Sequence, residues 1–439
     1  MTASPLHPRR PARSAIRGRG LALALGKLAG VVWSGVGALA VAAAVAILLV
    51  VGGATICPAA WAHAAAQPGA AQTAATTAAT TAATTAATTA TMATAQSAAA
   101  TAATATTTVQ MTASTAAGAS ANAPYHIVRT IPVAGSDGWD YMNEDSESGH
   151  LFISRGTHVQ VLDIATGKLV GDIPDTQGVH GIALAPEFGR GFTSDGRADM
   201  VTIFDLKTLA TIGTAKTDSG PDCILYDPAT KRVFTMNGRA GTATAIDAAT
   251  GAVVGSVALG GRPEFAVSDA AGHVYANLED KSEVVELDAQ KLTVLNTWPL
   301  APGQSPSGLA IDRAHRRLFS GCHNQLMAIM DADTGKVVAT VPIGSGVDAN
   351  RFDSGTQLAF SSNGDGTLTV VEEITPDSYQ VLGNVATQRG ARTMEVDLAT
   401  HHVFVITATF GPAPAPTADN PRPRPAIVPD SFVVIELAP

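Results

Sequence analysis

The stretch Val159–Asp163, VQVLD, has a form that returns along the whole second part of the chain: alternating apolar residues followed by an acid. The other copies are VTIFD ending at Asp205, ATAID at Asp247, VVELD at Asp288, MAIMD at Asp331, LTVVE at Glu372 and VVIE at Glu436. Successive acids lie 41 to 43 residues apart up to Glu372, and an insertion stretches the last interval to 64. A period of about 40–45 residues, with four short strands in each unit, is typical of a β-propeller.

Each unit divides into four strands, a to d from the axis outward, by apolar alternation and by turn residues. The innermost strands begin near Trp139, His180, Asp222, Glu264, Ser307, Asp348 and Arg392, which gives seven blades. The last blade lacks its outer strand, but HIVRTIPV at His126–Val133 has the form of a d strand and precedes the first blade. We therefore predict an all-β, seven-bladed propeller whose N-terminal strand completes the last blade and leaves no open sheet edge. We expect a monomer.

Residues 125–439 resemble the YVTN-type repeats of the YncE-like bacterial β-propellers. The insertion FGPAPAPTADNPRPRP at 410–425, followed by VPDSFVVIEL, is also similar to members of that group. The resemblance implies a seven-bladed exported propeller. It implies no particular reaction, because the family has no agreed common one. A weaker likeness extends to the seven-bladed lactonases that open sugar-acid lactones.

The chain before the repeats divides into two segments without a core. Residues 1–64 contain a basic leader and an apolar run at 28–56, which is the pattern of an export signal or a membrane anchor. Residues 65–124 are almost entirely Ala and Thr, and a segment with few large apolar side chains cannot offset its chain entropy, so we predict a disordered tether. The propeller, 125–439, would then be periplasmic or otherwise exported, either released after Ala64 or anchored in the inner membrane.

Charge and cysteine content limit the partners. The leader holds six of the 28 Lys and Arg residues, so the remaining 22 accompany 37 acids and the formal net charge beyond the leader is −15. An acidic domain with scattered basic residues does not attract phosphate backbones or anionic lipid. We expect no nucleic-acid partner, and membrane contact only through the N-terminal segment. Cys223 and Cys322 fall in different blades and are expected to be free thiols.

The candidate binding site is the funnel face, where the loops that precede the innermost strands meet. The residues that begin those strands define its rim, and the predicted ligand-binding set is Trp139, Asp140, His180, Asp222, Glu264, Ser307, Asp348 and Arg392. A ring of mixed charge around a channel mouth suits a small polar ligand. His180, Asp222 and Glu264 offer one imidazole and two carboxylates, which could hold a divalent metal, although no short ligand spacing supports this. Arg422 and Arg424, in the Pro-rich insertion, are candidates for a lid over the funnel.

Two acidic patterns are assigned to turns. Ser361 to Gly366, SSNGDG, superficially resembles a calcium loop, but its Asn-Gly-Asp-Gly core is what a hairpin turn between strands requires. The acid that ends each c strand precedes a turn, commonly Thr-Gly, where a carboxylate can accept backbone N–H bonds. Both patterns are therefore interpreted as structural.

The sequence contains no G-x-S-x-G, H-E-x-x-H, C-x-x-C-H or phosphate-loop motif, so catalytic residues stay unassigned and no cofactor is evident. The leading hypothesis is a non-enzymatic binding or scaffold protein whose funnel face holds a small molecule or a partner protein. One alternative is a lactonase-like hydrolase with an acid-rich, metal-assisted funnel. Another is an accessory subunit of a periplasmic redox enzyme, in which the cofactor would lie in the partner.

Overall fold

A computed structural model describes residues 123–135, 137–417, 423 and 425–439. The predicted leader, tether and membrane anchor lie outside these residues, and so do Arg422 and Arg424. Within the described part, 28 strands form seven antiparallel sheets of four strands each. No helix among these residues is long and apolar enough to cross a membrane.

The first three blades follow one another along the chain. Blade 1 contains β2 (Met142–Asp145), β3 (His150–Ser154), β4 (Val159–Asp163) and β5 (Lys168–Ile173). Blade 2 contains β6 (Val179–Ala185), β7 (Arg190–Asp195), β8 (Met200–Asp205) and β9 (Thr211–Lys216), with a short 3₁₀ turn at Pro186–Phe188. Blade 3 contains β10 (Pro221–Asp227), β11 (Arg232–Asn237), β12 (Thr242–Asp247) and β13 (Val253–Ala258).

Three more blades repeat the same order. Blade 4 contains β14 (Pro263–Ser268), β15 (His273–Leu278), β16 (Glu283–Asp288) and β17 (Thr293–Pro299). Blade 5 contains β18 (Pro306–Asp312), β19 (Arg317–Cys322), β20 (Leu326–Asp331) and β21 (Val337–Pro342). Blade 6 contains β22 (Val347–Asp353), β23 (Leu358–Asn363), β24 (Thr367–Thr375) and β25 (Ser378–Ala386).

Blade 7 joins the two ends of the described chain. It contains β26 (Thr393–Asp397), β27 (His402–Thr407), β28 (Phe432–Ala438) and, at its outer edge, β1 (His126–Val133). β1 pairs with β28 in antiparallel register from His126 opposite Ala438 to Val133 opposite Phe432. Each innermost strand contacts the innermost strands of both neighbouring blades, which closes the ring. The prediction of a seven-bladed propeller completed by its N-terminal strand is confirmed.

The core lies between the blades, and this explains the alternation in the sequence. The middle strands are buried on both faces, as in β8, whereas the outer strand β9 is mostly exposed. Each blade packs large side chains against its neighbours, and the fully buried aromatic residues include Phe152, Phe192, Phe204, Phe234, Phe319, Phe360, Phe404 and Phe432. Burial of large apolar side chains at about 1.5–3 kcal/mol each is the main stabilising contribution in such a fold.

The turns that end the c strands use the repeated acid as predicted. Asp247 accepts hydrogen bonds from the backbone N–H of Thr250 at 2.8 Å and from its hydroxyl at 2.7 Å. The equivalent bonds recur at Asp163, Asp205 and Asp331. The SSNGDG segment forms the hairpin between β23 and β24, which confirms the turn interpretation. Cys223 and Cys322 are buried free thiols, also as predicted.

Candidate functional site

The innermost strands bring most of the predicted rim residues to one end of the ring. His180, Asp222, Glu264, Ser307 and Asp348 are each the second residue of an innermost strand. Arg392 immediately precedes β26. The rim residues lie at the N-terminal ends of the innermost strands, and each one belongs to a different blade. Their side chains therefore approach the central axis from different sides.

The position of Trp139 corrects the register expected for the first blade. Tyr141 N–H donates to the carbonyl of His180, as Ala349 N–H donates to that of Arg392, so Tyr141 and Ala349 are equivalent. Asp140, and not Trp139, therefore occupies the rim position of blade 1. Trp139 lies before β2, with its ring centroid 4.8 Å from that of Phe432 and 5.9 Å from that of Phe410.

His180 lies between two carboxylates from the neighbouring blades. Its Nδ1 is 2.6 Å from Oδ2 of Asp140 and 3.6 Å from Oδ1 of Asp222. Burial of the imidazole opposes its protonation, but the hydrogen bond to Asp140 and the charge of Asp222 outweigh burial and raise the pKa of His180 to about 9. At neutral pH the imidazolium thus neutralises part of the negative charge on this side of the rim.

The carboxylates on the rest of the rim are poorly compensated. Burial raises the pKa of Glu264 to about 8, and the charges of Asp222, Glu279 and Asp348 add to this shift, against a smaller lowering effect of Arg262. Burial likewise raises the pKa of Asp222, with a further increase from Asp140 and a decrease from His180. These shifts mean that the acids repel one another inside a partly desolvated funnel, so that a cation bound there would relieve the repulsion.

On the opposite side of the rim, Arg392 and Ser307 contact Asp348. Nε of Arg392 lies 3.3 Å from Oδ2 of Asp348, and the Ser307 hydroxyl donates to Oδ1 at 3.3 Å. Burial raises the pKa of Asp348 to about 6, although the charge of Arg392 lowers it. The charged rim thus contains four carboxylates, those of Asp140, Asp222, Glu264 and Asp348, and two cationic groups, those of His180 and Arg392.

The insertion of the last blade continues the rim outward. Phe410 forms an isolated β-bridge with Ile427, and Gly411 N–H donates to the carbonyl of Ala426 at 2.8 Å. This stem lies beside Arg392 and encloses two depressions that share Arg392, Phe410 and Pro425. The depression beside Trp139 has a volume of about 360 Å³, and that beside Asp348 has a volume of about 760 Å³. The insertion was predicted from the sequence to lie on the funnel face. Phe410 and Pro425 were not predicted to line a depression there.

The residues that follow the rim positions form the floor of the funnel. The ring centroids of Tyr141 and Phe265 are 5.3 Å apart, and the guanidinium of Arg351 lies 5.0 Å from the centroid of Phe265. Arg351 is held by a bidentate pair with Glu395, at 2.8 and 3.0 Å. Beyond this floor, toward the other end of the axis, a separate cavity of about 640 Å³ is lined by the same four residues and by the turns that follow the innermost strands.

The predicted metal set is only partly assembled. Asp140, His180 and Asp222 place one ligand atom each within 4.8 Å of one another, so one imidazole and two carboxylates converge. Glu264, which was predicted as the third ligand, is not in this group; Asp140 takes its place because blade 1, and not blade 4, provides the neighbour on the other side of His180. A second group, Asp312, His315 and Glu373, was not predicted.

Comparisons with known proteins identify the fold. No protein-family model matches the chain, and no curated protein matches its sequence. The structure titled "Structure of U3-55K" is similar with a TM-score of 0.59 at 9% identity, over 72% of this chain and 99% of that one. "Crystal structure of RRP9 WD40 repeats" is similar with a TM-score of 0.57 at 10% identity, over 73% and 99%. In total, 1822 chains of solved structure are similar to this one. At sequence identities of 9% and 10%, the likeness to these two structures shows the propeller fold and no more.

Proposed function

We propose that this protein is a non-enzymatic binding or scaffold propeller whose funnel face holds a positively charged group of a ligand or partner protein. The observation that carries the proposal is the excess of carboxylates at the rim. Asp222, Glu264 and Asp348 all have raised pKa values because burial and mutual repulsion disfavour their charged forms. A bound cation would stabilise the ionised carboxylates and make charge-assisted hydrogen bonds with them.

The insertion stem supports a ligand larger than a single ion. Phe410 and Pro425 add apolar surface beside Arg392, next to the acidic rim. A ligand with a cationic end and an apolar body would contact both surfaces. Propellers of the WD40 kind commonly mediate protein interactions, which is consistent with a partner protein that presents a basic side chain.

We further infer that the chain is an exported member of the YncE-like propellers. The regular repeats from Val159 onward and the Pro-rich insertion at 410–425 support this assignment. The basic leader and the apolar run at 28–56 support export, with release after Ala64 or anchoring as the two outcomes.

A peptide-binding experiment tests the funnel. The purified full-length chain is immobilised in the presence of EDTA and titrated with an oligolysine peptide and, as the charge control, an oligoglutamate peptide of equal length. We expect the chain to prefer oligolysine. The double variant Asp222→Asn/Glu264→Gln should weaken this binding by about 1–3 kcal/mol, or about 5- to 150-fold, since buried charged contacts are lost.

A matched control removes the same charge elsewhere. Asp172→Asn/Glu147→Gln changes two exposed acids away from the rim, and it should leave oligolysine binding unchanged. Equal binding by the funnel double variant and the wild type would refute the proposal, as would the absence of a preference for oligolysine. If the chain instead prefers oligoglutamate, the insertion with Arg422 and Arg424 becomes the better candidate site.

A second candidate function is a metal-assisted, lactonase-like hydrolase, and the convergence of Asp140, His180 and Asp222 favours it. A divalent cation held there would polarise a lactone carbonyl and activate water. Lactone opening that depends on added Zn²⁺ or Mn²⁺, and that is lost in His180→Gln, would support this function. The absence of turnover with either metal would reject it.

A further inference from the structure

A cluster of three ionisable side chains lies at the end of the ring opposite the funnel, between blades 5 and 6. Asp312 ends β18, His315 lies in the turn that follows, and Glu373 lies near the end of β24 in the next blade. Ser307, on the rim, is the second residue of the strand that Asp312 ends. Asp312 follows Ser307 by five positions of extended chain, at about 3.3 Å each, so the two residues lie about 17 Å apart along the strand.

Two carboxylates of this cluster face each other in the protein interior. Asp312 is 1% exposed and Glu373 is 5% exposed. Nδ1 of His315 lies 2.7 Å from Oδ2 of Asp312 and 2.8 Å from Oε1 of Glu373. One imidazole nitrogen carries at most one proton, so the two carboxylates would have to share a single N–H donor.

The carboxylate of Glu373 accepts no hydrogen bond from the part of the chain that the structure describes. Among the described residues, Oε2 has no hydrogen-bond partner, and Oε1 lies near His315 in a geometry that forms no hydrogen bond. The nearby guanidinium of Arg317 is directed elsewhere, to Asp331 at 2.7 Å and to Asp377 at 3.0 Å. Leaving an ionised carboxylate buried without a partner is costly, so a positive charge bound at this point would stabilise the ionised form of Glu373.

The repeats show that Glu373 is exceptional at its position. The residue after the acid that ends a c strand is apolar in the other six blades: Ile164, Leu206, Ala248, Ala289, Ala332 and Leu437. Four of these, Ala248, Ala289, Ala332 and Leu437, are completely buried. Blade 6 therefore places a carboxylate where the fold elsewhere buries an apolar side chain, and packing alone does not require it.

A neighbouring turn shows how the fold otherwise compensates a similar pair. In blade 4, His273 lies 2.9 Å from Asp269, as His315 lies beside Asp312. There, however, Nη1 of Arg316 from the next blade reaches Asp269 at 2.9 Å and supplies the second positive charge. Between blades 5 and 6 the next blade supplies Glu373 instead, which adds negative charge.

We propose that Asp312, His315 and Glu373 form a divalent-cation site that joins blades 5 and 6. Their ligand atoms all lie within 4.8 Å of one another, and the half-exposed ring of His315 provides access from solvent. One imidazole and two carboxylates suit Mn²⁺ or Zn²⁺, with water completing the coordination. The second oxygen of Asp312 accepts the N–H of Ala314 at 2.9 Å, which fixes the orientation of that ligand.

Metal titration of the full-length chain tests the site. The background is His180→Gln, which removes the imidazole of the funnel cluster, and the protein is stripped with EDTA before Mn²⁺ or Zn²⁺ alone is added. We expect about one equivalent to bind and the midpoint of thermal unfolding to rise, because a ligand that binds the folded state stabilises it. Adding Glu373→Gln or Glu373→Ala should abolish both effects. The alanine variant restores the residue type of three other blades, so it should fold.

The control is His273→Gln in the same background, which removes a histidine that is paired with Asp and Arg. It should retain the bound metal and the rise in the midpoint. The proposal is overturned if the background protein binds neither metal. It is equally overturned if either Glu373 variant retains the equivalent and the midpoint shift.

Discussion

Deleting residues 125–133 should remove most of the stability of the ring. This segment contributes the buried side chains of Tyr125, Ile131 and Val133. At about 1.5–3 kcal/mol for each buried side chain, the loss amounts to roughly 5–9 kcal/mol, before the pairing with β28 is considered. Natural domains are stable by about 5–15 kcal/mol, so we expect insoluble or strongly destabilised protein.

Two point variants refine this test. Ile131→Ala should cost about 2–5 kcal/mol, because Ile131 is 4% exposed and packs in the cluster shared with Phe432. Ile127→Ala lies on the same strand but is 43% exposed, and it should change stability by no more than about 0.5 kcal/mol. Urea unfolding followed by circular dichroism measures both. Tryptophan fluorescence adds a local probe when Trp33, Trp61 and Trp298 are replaced by Phe, since the remaining Trp139 contacts Phe432 in the closing sheet.

A second deletion separates ring closure from the rest of the N-terminal chain. Removing residues 1–120 leaves β1 intact and should leave the unfolding midpoint unchanged. If the variant without residues 125–133 were soluble and melted cooperatively near the wild-type midpoint, β1 would not be needed for closure and the reasoning would be wrong.

Further predictions concern the turns, the rim and the thiols. Asp247→Ala loses the two hydrogen bonds of its turn and should cost about 1 kcal/mol in urea unfolding while oligolysine binding stays intact. The folded-state pKa of Glu264, about 8, lies above its ordinary value, so its contribution to stability is full at low pH and is lost as pH rises through about 8. The melting temperature should therefore decrease as the pH is raised from 5 to 9. The decrease should be less steep in Glu264→Gln than in the wild type, and equal slopes in the two proteins would contradict this prediction. Burial raises the pKa of Cys223 and Cys322 to about 12, so a Cys57→Ser chain should react with a thiol reagent only after unfolding.

The repeated strands made the fold predictable from the sequence. Each c strand carries its own acid and turn, as at Asp247, and a local pattern repeated at a fixed interval counts the blades directly. Ring closure was also predictable, since β1 has the composition of an outer strand and the last blade lacks one. The number of blades and the closure of the ring both depend on short residue patterns, which can be recognised directly in the sequence.

The details of the site depend on contacts between blades, which the sequence does not display. Trp139 lies 41 residues before His180 and Asp140 lies 40 residues before it, so the spacing alone favours Trp139 as the rim residue. The backbone hydrogen bonds show that Asp140 occupies the rim position of blade 1. Glu264 has the right chemistry for a metal but lies on the wrong blade. Glu373 was detectable, because it interrupts an apolar position of the repeat, but its contact with His315 required the structure.

The pairing of the first and last strands also constrains how the protein is made. Arg129 and Glu436 form an ion pair at 2.7 Å although they are 307 positions apart in the chain. During synthesis β1 emerges first and must remain without its native partner until β28 has been produced. The middle blades can form in order as they emerge, whereas closure of the ring waits until β28 has been produced. A polypeptide stalled shortly before Phe432 would therefore display the edges of an incomplete sheet, which makes late truncations more prone to aggregation than early ones.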